Sequence, residues 1–234
     1  MQLQLSELDP AFWLAELPGT LAGPLSSSGS LKDQRLELTA DIDLSGRLRG
    51  QPALVQARFA GGLENGELSR LEVRLGDNRI HGSASLQQQL QGQLTLAMPR
   101  LGQLWPQLQG QLQGQLDLAG SLQAPQGQLQ LDGRQLAFID RRLQQLSLSA
   151  SLDSAQRGRL SLAASGIQLG ETNLGQLSAS AEGDRQRQSL ELQLEGPLLR
   201  TRLALAGRLD QGNWRGQLQR DGFSLRVTAE IAEE

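Results

Sequence analysis

The sequence has no cysteine and no tyrosine, one histidine, and only 3% aromatic residues. Without cysteine there can be no disulfide and no thiolate metal site, although either a reducing or an oxidising compartment remains open. A compact β-sandwich fills its core with aromatic and β-branched side chains, and the shortage of aromatics argues against one. No apolar run approaches the roughly 18 residues that a membrane-spanning helix needs. The start, Met1 to Leu8, lacks the basic and apolar regions of a signal peptide, so the expectation is a cytoplasmic chain or a piece of a longer one. Charge of one sign is also lacking. The formal net charge is −3, the pI is about 5.4 and the basic residues are scattered, which leaves no footprint for nucleic acid.

Catalytic constellations are missing too, and the expectation is a protein that is not an enzyme and needs no cofactor. His81 has no nucleophile elbow or carboxylate pair beside it, and with Gly82 following it reads as a surface or turn residue. Nor do metal ligands cluster in the sequence. Asp41 and Asp43 share one strand face and read as solvated polar positions rather than as a cation site or an acid and base pair. Gly61-Gly62 is followed by turn residues and not by the lysine of a phosphate loop. Trp13, Trp105 and Trp214 read as packing over sheet ends, with a cap on an apolar groove or a partner interface as the alternatives.

What is present is a period of two, repeated from end to end. Leu36, Leu38, Ala40, Ile42 and Leu44 alternate with Arg35, Glu37, Thr39, Asp41 and Asp43. Leu146, Leu148, Ala150 and Leu152 alternate with serines, and Leu190, Leu192 and Leu194 with Glu191, Gln193 and Glu195. Leu203 and Leu205, then Phe223, Leu225, Val227, Ala229 and Ile231, continue it. Strands with one wet face belong to antiparallel sheets. Leucine favours helices, so its dominance in strand-like stretches means that tertiary context overrides local propensity.

Glycine keeps step with leucine. From Leu108 to Leu122 the even positions are Leu108, Gly110, Leu112, Gly114, Leu116, Leu118, Gly120 and Leu122, and Gly46 stands likewise between Leu44 and Leu48. A missing side chain on the apolar face lets a sheet curl toward that face, which should make it concave. Only Asp9 to Pro18 and Pro99 to Pro106 break the alternation, and each reads as a helical turn. The two are related. Leu17 to Leu31 matches Leu108 to Leu122 in leucine, glycine and serine, and Leu3 and Leu5 fall on Leu94 and Leu96, giving an internal repeat of about 3–31 and 94–122.

The expected fold is therefore all-β: one elongated, curled sheet spanning 1–234, a half-pipe or β-taco with two short helical turns and an apolar groove in place of a packed core. About eighteen strands of nine or so residues would extend roughly 85 Å and be about 30 Å wide. Exposed apolar surface on that scale marks a binding site, and the groove leucines together with Ile42, Phe223 and Val227 are its lining. At about 25 cal/mol/Å², an acyl chain burying several hundred Å² there would gain several kcal/mol without any polar contact. The natural ligand is a lipid tail. A chaperone-like groove or edge for unfolded strands is the alternative. A transmembrane barrel is disfavoured by the absence of aromatic girdles, and a β-helix by uneven strand lengths.

The run LWPQLQGQLQGQLDLAGSLQAPQGQLQLDGRQLAF (Leu104 to Phe138), the later LSLAASGIQLG (Leu160 to Gly170) and GNWRGQL (Gly212 to Leu218) resemble the TamB family, inner-membrane subunits of the translocation and assembly module. The resemblance covers nearly the whole chain. It implies a segment of a long periplasmic protein anchored in the inner membrane and related to the AsmA-like bridge lipid-transfer proteins. It also implies a taco-shaped sheet carrying phospholipid acyl chains. Through the full-length protein it implies the outer-membrane barrel partner TamA, and a part in outer-membrane biogenesis and autotransporter assembly.

Overall fold

The computed structural model describes residues 2–12, 17–32, 35–62, 65–210, 213–220 and 223–230. Its residues gather into two compact units, Met1–Gln123 and Ala124–Glu234. Both are all-β, as the alternation predicts.

The first unit contains β1 (Gln2–Leu8), β2 (Gly19–Lys32), β3 (Arg35–Leu48), β4 (Gln51–Gly61), β5 (Gly66–Leu75), β6 (Asn78–Leu86), β7 (Leu90–Met98) and β8 (Leu108–Gly120). Each strand pairs antiparallel with the next, and β1 and β8 do not pair with one another, so the sheet is an open meander. Single 3-10 turns, Pro10–Phe12 and Leu101–Gln103, interrupt it in the two stretches where the alternation breaks.

The second unit contains β9 (Pro125–Phe138), β10 (Arg141–Leu152), β11 (Gly158–Leu169), β12 (Thr172–Gly183), β13 (Arg187–Glu195), β14 (Arg200–Asp210), β15 (Asn213–Arg220) and β16 (Phe223–Glu230). It is likewise an open antiparallel meander, with no pairing between β9 and β16. Sixteen strands are thus described, fewer than the eighteen expected, because ten of them are longer than nine residues. β2, β3 and β9 have fourteen each, which at about 3.3 Å per residue is roughly 46 Å.

β1 and β2 pair in the same register as β7 and β8. Leu3 faces Leu25 and Leu5 faces Gly23, while Leu94 faces Leu116 and Leu96 faces Gly114. The spacing from Leu3 to Leu94 is also the spacing from Pro10 to Leu101, the first residues of the two 3-10 turns. Two similar stretches of sequence therefore build the same strand, turn and strand, with a glycine opposite the second leucine in both.

Alternation alone does not keep the faces in phase. Leu68 and Leu71 both join apolar rows although they are three residues apart, because β5 carries one extra residue between them, which shifts its register against both β4 and β6. An extra residue in one strand of an antiparallel pair has this effect.

The apolar face of the first unit is packed at one end, which departs from the expected open groove. Leu21, Leu44, Leu48, Ala53 and Leu75 form a buried cluster, and Leu5, Leu8, Leu17, Ile42, Val55 and Leu104 pack against it. The cover comes from the segment joining β7 to β8. Its Leu101 is buried, its Leu104 joins the cluster, and its Leu104 carbonyl accepts a hydrogen bond from Arg49 Nη1 at 3.2 Å. Arg49 follows β3, four strand spacings from β7, or roughly 19 Å across a flat sheet. A contact over that span requires the segment to lie across the end of the sheet.

Candidate functional site

The apolar faces are the candidate site, and the strand register arranges them in rows. One row of the first unit crosses all eight strands: Leu3, Leu25, Ile42, Ala57, Leu71, Gly82, Leu94 and Leu116. A row of the second unit does the same: Leu129, Ala150, Leu160, Ala181, Leu190, Leu205, Leu218 and Leu225. Beside it run Leu131, Leu148, Leu162, Ala179, Leu192 and Leu203. Cross-strand neighbours on one face lie about 4.5–5.5 Å apart, close enough for each row to be a continuous apolar strip.

Burial differs between the units. Among the described residues of the second unit Ala164 is the only buried hydrophobic residue, and Leu160, Leu190 and Leu225 are exposed, the last at 63%. The neighbouring Leu146, Leu148, Leu152, Leu192, Leu194, Leu203 and Leu205 are half-buried. Alanine stands between leucines at Ala150 and Ala181, whereas Leu190, Leu205, Leu218 and Leu225 follow one another with no small residue between them.

In the first unit the expected lining residues divide. Leu44 is 6% exposed and packed within the cluster, with Ile42 against it, whereas Leu38 is 44% exposed. Leu108, Leu112, Leu116 and Leu118 lie half-buried along β8, while Leu122 falls past its end and is exposed. The backbone register places Leu36 opposite Leu31, Phe223 opposite Arg220 and Val227 opposite Gly216. The side chains of these three, and those of Trp13 and Trp214, lie outside the described residues. Trp105 is exposed in the segment after the second 3-10 turn, and its Nε1 donates to Gln107 Oε1 at 3.3 Å.

The polar face holds what alternation does not reveal. Glu72 is buried, with its side chain 7% exposed, between Arg70 (3.1 Å), Arg74 and Arg79 (3.3 Å). The hydrogen bond from Arg70 holds its carboxyl below the usual range; burial opposes this, and the charges of Arg74 and Arg79 add to it. His81 is neither a turn nor a fully surface residue. It sits within β6, half-buried, directly opposite Glu72, and its Nδ1 is buried without a hydrogen-bond partner among the described residues. Gly82 beside it does not mark a turn, since it is the small member of the apolar row between Leu71 and Leu94. Asp41 pairs with Arg58 at 2.6 Å and Asp43 accepts from Gln56 Nε2 at 2.8 Å, both on the exposed surface. Among the described residues no three acidic or histidine side chains are grouped to hold a metal ion, and no helix is long and apolar enough to cross a membrane.

Comparison with known proteins gives the family. No solved structure matches the chain. A curated relative, the translocation and assembly module subunit TamB of Haemophilus influenzae, is 25% identical over 236 aligned residues, which cover 97% of this chain. The chain spans 18% of that relative's length. The family model described as TamB, N-terminal domain, matches residues 1–229, and the chain belongs to that family.

Proposed function

We propose that this chain is a periplasmic segment of a lipid conduit that shields phospholipid acyl chains between the inner and outer membranes. The observation that carries the reading is the pair of leucine rows in the second unit, which cross six to eight strands and keep large side chains half-buried to exposed. A soluble β-sheet normally buries such a face against a second layer, and uncovered apolar area beyond a few hundred Å² marks contact with a ligand, partner or membrane. A row of leucine and alanine offers dispersion and burial and no fixed hydrogen bond, which suits an alkyl chain of variable length. The role is one of binding and not of catalysis. Family membership supports a TamB-like part in outer-membrane assembly, with the barrel protein TamA as partner and autotransporter assembly as an outcome. Both are proposed for the whole protein, of which this chain resembles a part.

The test is site-specific photocrosslinking in cells followed by mass spectrometry of bound lipid. Crosslinkers at Leu148 and Leu192 should trap phospholipid, and those at Ser149 and Gln193 on the opposite face should not. Trapping from the serine and glutamine positions alone would reverse the faces. Recovery of unfolded outer-membrane protein without lipid would favour the chaperone-like reading.

A further inference from the structure

The polar face of the second unit carries a row of arginines that the apolar conduit does not use. The register sets Arg187 of β13 opposite Arg208 of β14, and Arg208 opposite Arg215 of β15. Adjacent strands are about 4.8 Å apart and like charges directly opposite one another are destabilising, so the row costs stability unless something neutralises it. These three side chains and those of Arg157 and Arg159 line a furrow of about 930 Å³. Gly158, Gly183, Gly207 and Gly216 also line it, between the residues whose side chains form its walls.

The furrow's own carboxylates do not balance these charges. Only Glu182 and Asp184 stand against the five arginines. Asp184 Oδ1 already accepts the backbone N–H of Gln186 at 2.7 Å and of Arg187 at 2.9 Å, and Glu182 stands opposite Arg159. Among the described residues Arg159, Arg208 and Arg215 form no ion pair.

We infer that this furrow is an anion site for a phosphate group, carried either by a lipid headgroup or by a small soluble phosphate. Each guanidinium presents a planar fork of donors, and three in a row supply more than the two oxygens of a carboxylate can accept. A phosphate offers more acceptor oxygens than a carboxylate, with one negative charge as a lipid diester and up to two as a soluble phosphate, and guanidinium bonds to it are charge-assisted and bidentate. The volume lies within the few hundred to 1,000 Å³ range of small-ligand sites, with room for more than the bare anion. The site stands on the face opposite the leucine rows and does not depend on the conduit reading.

The experiment uses the whole chain and two ligand arms. Calorimetric titration with inorganic phosphate, at ionic strength matched with chloride, addresses the soluble source. Flotation with phosphatidylglycerol vesicles against phosphatidylcholine vesicles addresses the headgroup. Binding is expected in at least one arm and should weaken about tenfold or more in Arg208→Gln/Arg215→Gln, from the loss of charge-assisted hydrogen bonds. Arg202→Gln, whose native partner is Glu191 outside the furrow, should leave it unchanged. The double variant should also melt no lower than the parent in chloride, since it removes like-charge pairs. A response to phosphate no larger than to chloride together with equal flotation on both vesicles overturns the site. So does binding that survives in the double variant.

Discussion

Asn78 and Arg100 hold one another through both sides of one residue's backbone. Asn78 Nδ2 donates to the Arg100 carbonyl at 2.9 Å, and the Arg100 amide donates to Asn78 Oδ1 at 3.1 Å. The same Nδ2 donates to the Leu75 carbonyl at 3.2 Å and to Gln103 Oε1 at 3.1 Å, and the residue is 1% exposed. Gln103 in turn accepts from the Asp77 amide at 2.8 Å. This amide therefore fastens the second 3-10 turn to the turn between β5 and β6, and with it the lid over the Leu44 cluster.

Asn78→Ala leaves the Arg100 amide and two carbonyls without their partner. At about 1–3 kcal/mol for a buried group so stranded, the variant should lose about 2–4 kcal/mol. Hydrogen exchange should show the loss first at residues 99–105. Unchanged protection there would mean that the leucine contacts alone hold the lid.

Leu44 and Leu38 share a strand face and differ in surroundings, so they separate packing from exposure. Leu44→Ala should cost about 2–4 kcal/mol through lost burial and a residual cavity, and Leu38→Ala less than about 1 kcal/mol. Urea unfolding checks both. Equal costs would mean that the strip is packed along its whole length.

Period-two alternation made the strands and their apolar face legible, and in the folded sheet some of the glycines in phase with leucine stand opposite a leucine of the next strand. Leu96 opposite Gly114 and Leu5 opposite Gly23 are the form this takes. Three features lay outside its reach. The bulge between Leu68 and Leu71 of β5 depends on pairing, which no single strand encodes. Glu72 stands at a position that alternation assigns to water and is buried only because arginines from two strands close over it. Asn78 carries a turn residue's signature, whereas its role depends on Arg100, which is remote in sequence and reached only when the linker folds back. The open face of the second unit was legible; the packed end of the first was not, because its lid comes from the residues that break the pattern.

Gly23 should be intolerant of a side chain. Its φ is +148°, and a Cβ there would fall on the Asp43 carbonyl oxygen of the neighbouring strand. Gly170, at φ +58° with no atom within 4 Å of a Cβ, supplies the control. Gly170→Ala carries only the backbone penalty of about 1 kcal/mol, whereas Gly23→Ala must also separate β2 from β3 and should cost more than about 2 kcal/mol. Equal melting temperatures for the two variants would show that the strand contact relaxes freely.

Glu72 gives the sheet a pH dependence whose sign follows from its surroundings. Arg70, burial, Arg74 and Arg79 together leave its carboxyl below the ordinary 4.5. A group with a depressed pKa in the folded state contributes its stabilisation fully above the unfolded value and loses it as pH falls through the folded one. At pH 7, Glu72→Gln should therefore melt below the parent, because Arg70, Arg74 and Arg79 then face one another without the carboxylate. As the pH is lowered below 4.5 the parent protonates and the two melting curves should converge. Paired thermal melts from pH 7 to pH 3 make the comparison. A gap that stays constant across that range would show that Glu72 acts through its shape and neutral hydrogen bonds and not through its charge.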